Sequence, residues 1–289
     1  MDIGGWDIAA VLAKAVTYAA AFGAAGAVLF LLYCRTLLRD QQRALIRRLI
    51  GIQVGVAAAA SILRILLLAG SMSGDLAGMF NGTFASMILS AGEGRATGLR
   101  MGGLALMLFA FSANPVLRRC ALLGAIVAST SFAWVGHIHG LAPNTAPTLL
   151  LCLHLLCVAF WLGALPPLLI IAAGSNVAQV AAAAARFGKL ALRVVALLLA
   201  AGASLLLMLI GHAAQFWASD YGRMMVIKLV AVAALLSAAA WNKLQLTPRL
   251  LKGDARAVAM FRRSLIAEMS VGALILLTTA ALTTLAGPP

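Results

Sequence analysis

Residues 149–172 read LLLCLHLLCVAFWLGALPPLLIIA, a run without a single Asp, Glu, Lys or Arg. A helix that crosses a hydrocarbon core of about 30 Å needs about 20 mostly apolar residues, and this run supplies them. Comparable runs, bounded by charge, Gly and Pro, recur along the chain. They predict spans near residues 8–34, 49–70, 97–113, 120–138, 149–172, 190–212, 223–242 and 264–286. The weakest is 97–113. The stretch before it, 71–96, is too polar to cross and reads as a partly helical external lid on the membrane surface.

The rest of the composition agrees. The 289 residues are 63% hydrophobic, with a mean hydropathy of +1.03, well above the roughly half-apolar mix of soluble domains. The short alternating segments of a membrane β-barrel do not occur. The sequence therefore predicts an all-α, polytopic transmembrane helical bundle of about eight helices, a single membrane domain over residues 1–289.

A formal net charge of +14 raises the question of nucleic acid, but the distribution answers it. The connections after the first, third, fifth and seventh spans carry 16 of the 22 Lys and Arg residues. Such short basic connections set topology by the positive-inside rule, whereas nucleic-acid binding needs a soluble basic surface. The basic side is cytoplasmic, so both termini are expected in the periplasm. Asp2 and Asp7 precede the first basic residue, Lys14, so the start lacks the positive region of a cleaved signal and the first run is expected to remain as a span. Cys34, Cys120, Cys152 and Cys157 have no CxxC spacing and do not read as a disulfide framework.

On this map the four histidines fall on the outer side. His137 and His139 close the fourth span in WVGHIHG, His212 closes the sixth in LIGHAAQ, and His154 lies about five residues into the fifth. An ionisable group in a span is a functional candidate because hydrocarbon offers it no water. A histidine at a helix end also serves to cap carbonyls, a competing role for each of these. Neutral imidazole suits Cu, Zn and Ni. His137 and His139, two apart, do not share a helix face unless the helix ends between Gly136 and Gly140. His137 is the better ligand of the two. His154, Cys157 and Trp161 recur at i, i+3 and i+7 and share a face, offering a nitrogen, a soft sulfur and an indole. Cys157 has a plainer reading as a small buried apolar residue. Pro166 and Pro167 remove two backbone donors below Trp161, and a kink is expected there. Met72, Met79, Met87, Met224 and Met225 add soft thioethers, a weaker signal in so apolar a chain.

Other residues read as structural. Arg64 deep in the second span needs a partner, with Glu93 or Asp75 available, and Lys228 is expected to snorkel. Glu268 is placed in the first turn of the last span, stabilised by the helix N-terminus and by Arg262 and Arg263. Gly51-x3-Gly55 and Gly98-x3-Gly102 are small-x3-small patterns expected at helix contacts.

The chain resembles the copper resistance protein D (CopD/PcoD) family of inner-membrane proteins. The matching segments are WVGH (134–137), HLLCVAFWLGALPPLL (154–169), RFGKLAL (186–192), the GH at Gly211–His212, YGRMMVIKL (221–229), WNK (241–243) with Pro248, and RRSLIAE (262–268). The resemblance spans roughly residues 132–286, while 1–131 are similar mainly in hydropathy. Such proteins commonly read RFS and NR where this chain has Arg186-Phe187-Gly188 and Asn242-Lys243. His139 has no matching family position.

The resemblance implies a multi-pass protein of the bacterial inner membrane, not an enzyme, that takes copper, Cu(I) or Cu(II), across the lipid bilayer. It also implies work with a separate periplasmic CopC-like copper-binding protein. The candidate ligands are His154, His212, His137, Cys157 and His139. Two other classes compete: a haem-binding electron-transfer protein with His154 and His212 or His137 as axial ligands near the periplasmic face, and a scaffold that binds no metal.

Overall fold

The computed structural model describes residues 4–135, 145–174, 176–210 and 219–285. The helices are α1 (Gly5–Tyr33), α2 (Asp40–Ser73), α3 (Gly82–Ser90), α4 (Gly92–Met107), α5 (Pro115–Thr130), α6 (Thr145–Ala172), α7 (Val177–Leu209), α8 (Asp220–Trp241), α9 (Thr247–Leu251) and α10 (Ala255–Leu285). No strand occurs among the described residues. Polar residues start the helices where the apolar runs need an entry. The side chains of Asn81, Asn114, Asn176 and Ser219 accept hydrogen bonds from the first-turn amides of α3, α5, α7 and α8, and Pro115 begins α5 where a missing N–H costs nothing.

Seven segments are long and apolar enough to cross a membrane: α1, α2, Pro115–Trp134, Ala146–Ala172, α7, Asp220–Leu251 and α10. The chain is an all-α, polytopic membrane bundle. The expected span at 97–113 is not among the seven. It consists of the 16-residue α4 and a 3-10 continuation, Leu108–Phe111, together about 32 Å long. Its Glu93, Arg95 and Arg100 keep it below the apolarity of the others. It forms an antiparallel pair with α5. A Cβ on Gly103 would meet the Ala128 amide nitrogen at 2.6 Å, one on Gly124 would meet the Met107 nitrogen at 2.8 Å, and Arg100 reaches Ser131.

The core lies between α1 and α6. A Cβ on Gly26 would lie 2.1 Å from the Ala159 carbonyl oxygen, and one on Gly163 would lie 2.4 Å from that of Phe22. Only glycine permits this backbone-to-backbone approach, which fixes the height of α6 in the bundle. The Gly51/Gly55 and Gly98/Gly102 patterns make no such contact. A Cβ on Gly51 would touch only the Phe111 ring, and Gly55, Gly98 and Gly102 face open space. Spacing alone does not say which face of a helix points inward.

Contacts at the two ends fix the direction of the helices. The Lys14 ammonium near the start of α1 donates to the Thr283 carbonyl near the end of α10 at 2.9 Å. At the opposite end, Gln179 on α7 donates to the Leu37 carbonyl and the Gln42 side chain, while Arg186 donates to Thr36. The start of α1 and the end of α10 thus lie on one side, and the basic connection between α1 and α2 lies with that between α6 and α7 on the other.

The buried ionic groups of the first half gather in one place. Arg64 on α2 meets Glu93 at the start of α4: Nη2 donates to Oε2 at 3.1 Å, and Nε lies 3.0 Å from Oε1 outside hydrogen-bond geometry. The partner expected for Arg64 is therefore Glu93. Arg100 is buried over the Phe132 ring at 4.0 Å, within a Tyr18–Phe22–Phe132 aromatic cluster.

Candidate metal centre

Helix α6 carries the central candidate. It runs as one helix from Thr145 to Ala172, with Pro166 and Pro167 inside it and no break in its helical assignment. His154 lies nine residues from Thr145, about 14 Å along the axis from the helix start, which precedes the apolar run by four residues. Its ring packs on α7 at Gly202, where an added Cβ would sit 3.2 Å from Cε1 and 3.3 Å from Nδ1. The Leu198 carbonyl is the backbone group nearest to pairing with the ring, yet among the described residues no hydrogen bond of good geometry reaches the buried Nδ1. Buried polar atoms are rarely left so, and an unbonded imidazole nitrogen is a free ligand.

The rest of the stripe follows its helical spacing. Cys157 and Trp161 are buried, at 5% and 3% exposure. All four cysteines are free thiols. Lys228 on α8 is half-buried, and its charge is among the electrostatic influences on the His154 ring.

His137, His139 and His212 lie outside the described residues. Among the described residues no three His, Cys, Asp or Glu side chains gather as a metal cage. Met225 packs with Tyr221 and Leu282 in an apolar cluster, while Met72 and Met87 are exposed. Met79 packs near Gly70 and Trp6.

Below the stripe the structure adds a feature the sequence reading missed. A cavity of about 270 Å³ opens between α6, α7, α8, α9 and α10, with Trp161 as one wall. Glu268 and Asn242 line it, both buried, and the Asn242 side-chain amide donates to Glu268 Oε1. Glu268 sits thirteen residues into α10, about 20 Å from its start, so neither the helix N-terminus nor Arg262 and Arg263 hold it as expected. Asn242 opens a π-helical turn, Asn242–Leu246. Pro248 is the physical cause: its ring would clash with the Leu244 carbonyl in a regular helix, and widening the turn relieves the clash. The Thr247 hydroxyl and amide both donate to the Asn242 carbonyl, closing the wide turn. An Asn before a Lys and a Pro six residues on is the only local signal for this, and it is weak.

The two departures from the family pattern meet at this cavity. A Cβ at Gly188 would lie 3.3 Å from Lys243 Cδ and Nζ. A smaller residue on α7 thus accompanies the Lys on the π turn.

Comparison with known proteins extends the resemblance to the first half of the chain. A family model for copper resistance protein D matches residues 181–282, and one for the copper resistance protein D-like N-terminal domain matches residues 5–140. The N-terminal half thus carries its own family signal beyond its hydropathy. No curated protein and no solved structure matches the chain. With both halves matched in order, on a polytopic helical bundle, the chain belongs to the copper resistance protein D family of multi-pass inner-membrane proteins.

Proposed function

We propose that this protein takes copper from the periplasm across the inner membrane, with His154 as its principal ligand. The observation that carries the reading is the buried, unbonded Nδ1 of His154 on an apolar helix. Among the described residues no donor reaches it, and a soft or borderline metal ion suits a neutral imidazole nitrogen. His212 and His137 complete the coordination from the outer face, His139 stays peripheral, and Cys157 offers a thiol one turn further in. A separate periplasmic CopC-like protein delivers the ion.

The test is copper influx into liposomes that enclose a copper-sensitive dye and carry the full-length protein. Wild type should conduct copper, and His154→Ala should lower the initial rate at least tenfold. Equal rates for the two would overturn the reading. The visible spectrum of the same preparation decides the haem alternative: a Soret band lost in His154→Ala would assign the histidine to haem.

A further inference from the structure

We propose that Glu268 and Asn242 form a second cation site, on the cytoplasmic half of the bundle, from which the transported ion leaves. The inference rests on the transport reading above.

Three observations carry it. First, the cavity that holds these residues begins at Trp161, seven residues and about 10 Å below His154 on the same face of α6. The cavity lies in line with the histidine, one stripe further toward the basic, cytoplasmic end. Second, Asn242 is 7% exposed, and its Oδ1 has no hydrogen-bond partner, although its amide is held by Glu268. The amide is therefore oriented by the carboxylate, which leaves its carbonyl oxygen as an unsatisfied acceptor in the wall of the cavity. Third, Glu268 is 2% exposed and makes no ion pair among the described residues.

A buried carboxylate and an orphaned amide oxygen at one cavity call for a positive occupant. A proton is one, since a protonated carboxyl loses its charge and gains an O–H to give to Oδ1. Water satisfies Oδ1 but not the charge. A metal cation answers both in exchange for that proton, and protection of Glu268 from a carbodiimide by copper tells the two apart. The π turn adds to the fit, because such turns displace a side chain from the regular helical register, here Asn242. Lys243 lines the mouth beside Gly188 without pairing with Glu268. The basic charge there lowers the residence of a second cation.

The donor chemistry gives the site its place in the path. Oxygen ligands hold copper less firmly than the imidazole and thiol above, and conduction requires that the final site bind weakly enough to release. Nitrogen and sulfur near the periplasm, followed by two oxygens near the cytoplasm, is an order of falling affinity.

The experiment uses the full-length protein in the same dye-loaded liposomes, with copper supplied as Cu(II) or, with ascorbate, as Cu(I). Glu268→Gln should lower influx at least tenfold, while copper bound by the detergent-solubilised variant through His154 stays at the wild-type level. Glu268→Asp, which keeps the carboxylate, should recover part of the rate. A second readout needs no variant. A hydrophobic carbodiimide should label Glu268 in the wild-type protein, and added copper should protect it at least fivefold.

Influx by Glu268→Gln within twofold of wild type would overturn the site, as would labelling indifferent to copper. Copper influx that needs His154 but not Glu268 would sink this inference and leave the transport reading standing. If neither wild type nor His154→Ala conducts copper, the transport reading fails, and carbodiimide protection alone decides the site.

Discussion

Replacing Glu93 by Gln removes, among the described residues, the carboxylate that faces three cations buried in the first half of the bundle. Lys14, Arg64 and Arg100 act on one another and on Glu93 electrostatically, and among the described residues no second carboxylate acts on Lys14 or Arg100. The Arg64 and Glu93 side chains are 14% and 13% exposed. Breaking a buried pair by removing one partner costs about 3–5 kcal/mol, because the remaining charge stays in a poor solvent. Gln still accepts a hydrogen bond, so the expected loss lies at the low end, about 3 kcal/mol. The Arg223–Asp220 pair is the internal control. Its side chains are 72% and 53% exposed, so Asp220→Asn should cost less than about 1 kcal/mol.

A double variant, Arg64→Gln with Glu93→Gln, removes the stranded charge and should recover at least half of the loss. The assay is equilibrium unfolding of the protein in mild detergent micelles by added SDS, followed by circular dichroism. Neutral interhelical hydrogen bonds in membranes average only about 0.6 kcal/mol. A Glu93→Gln loss of that size, or one equal to that of Asp220→Asn, would refute the argument that buried charge organises this half. A double variant no more stable than the single would refute it as well.

Two further outcomes follow from the packing around α6. Gly163→Leu would force α1 and α6 apart at their backbone contact with Gly26. It should destabilise the protein by about 1–3 kcal/mol in the same unfolding assay and slow copper influx, whereas Gly98→Leu on an open face should do neither. Lys228→Met removes a cation acting on His154, so the variant should hold copper at least threefold more tightly in equilibrium dialysis. Unchanged or weaker retention would show that the Lys228 charge does not reach the ion.

The spans were legible in the sequence because hydrocarbon imposes one requirement, a long apolar run, on every crossing segment. Their ends were less so. Helix α2 begins at Asp40 rather than near residue 49, α7 at Val177 rather than 190, and α10 at Ala255 rather than 264. In each case an Arg- or Lys-bearing segment continues the helix beyond the apolar run, and hydropathy marks only the part inside the hydrocarbon. The partner of Arg64 was legible because few acids exist to choose from. The Gly26–Gly163 contact was not, since it depends on which helices become neighbours. Glu268 was misplaced for a related reason. Its distance from a helix start was measured from the apolar run, and the π turn that brings Asn242 to it arises from a Pro six residues away.

The account turns on His154 as a copper ligand. Equilibrium copper binding to the purified full-length protein, compared with His154→Ala and His212→Ala, tests it most directly. Each substitution should weaken copper binding at least tenfold, with the fold kept as judged by circular dichroism. Stoichiometry and affinity unchanged in both variants would contradict it.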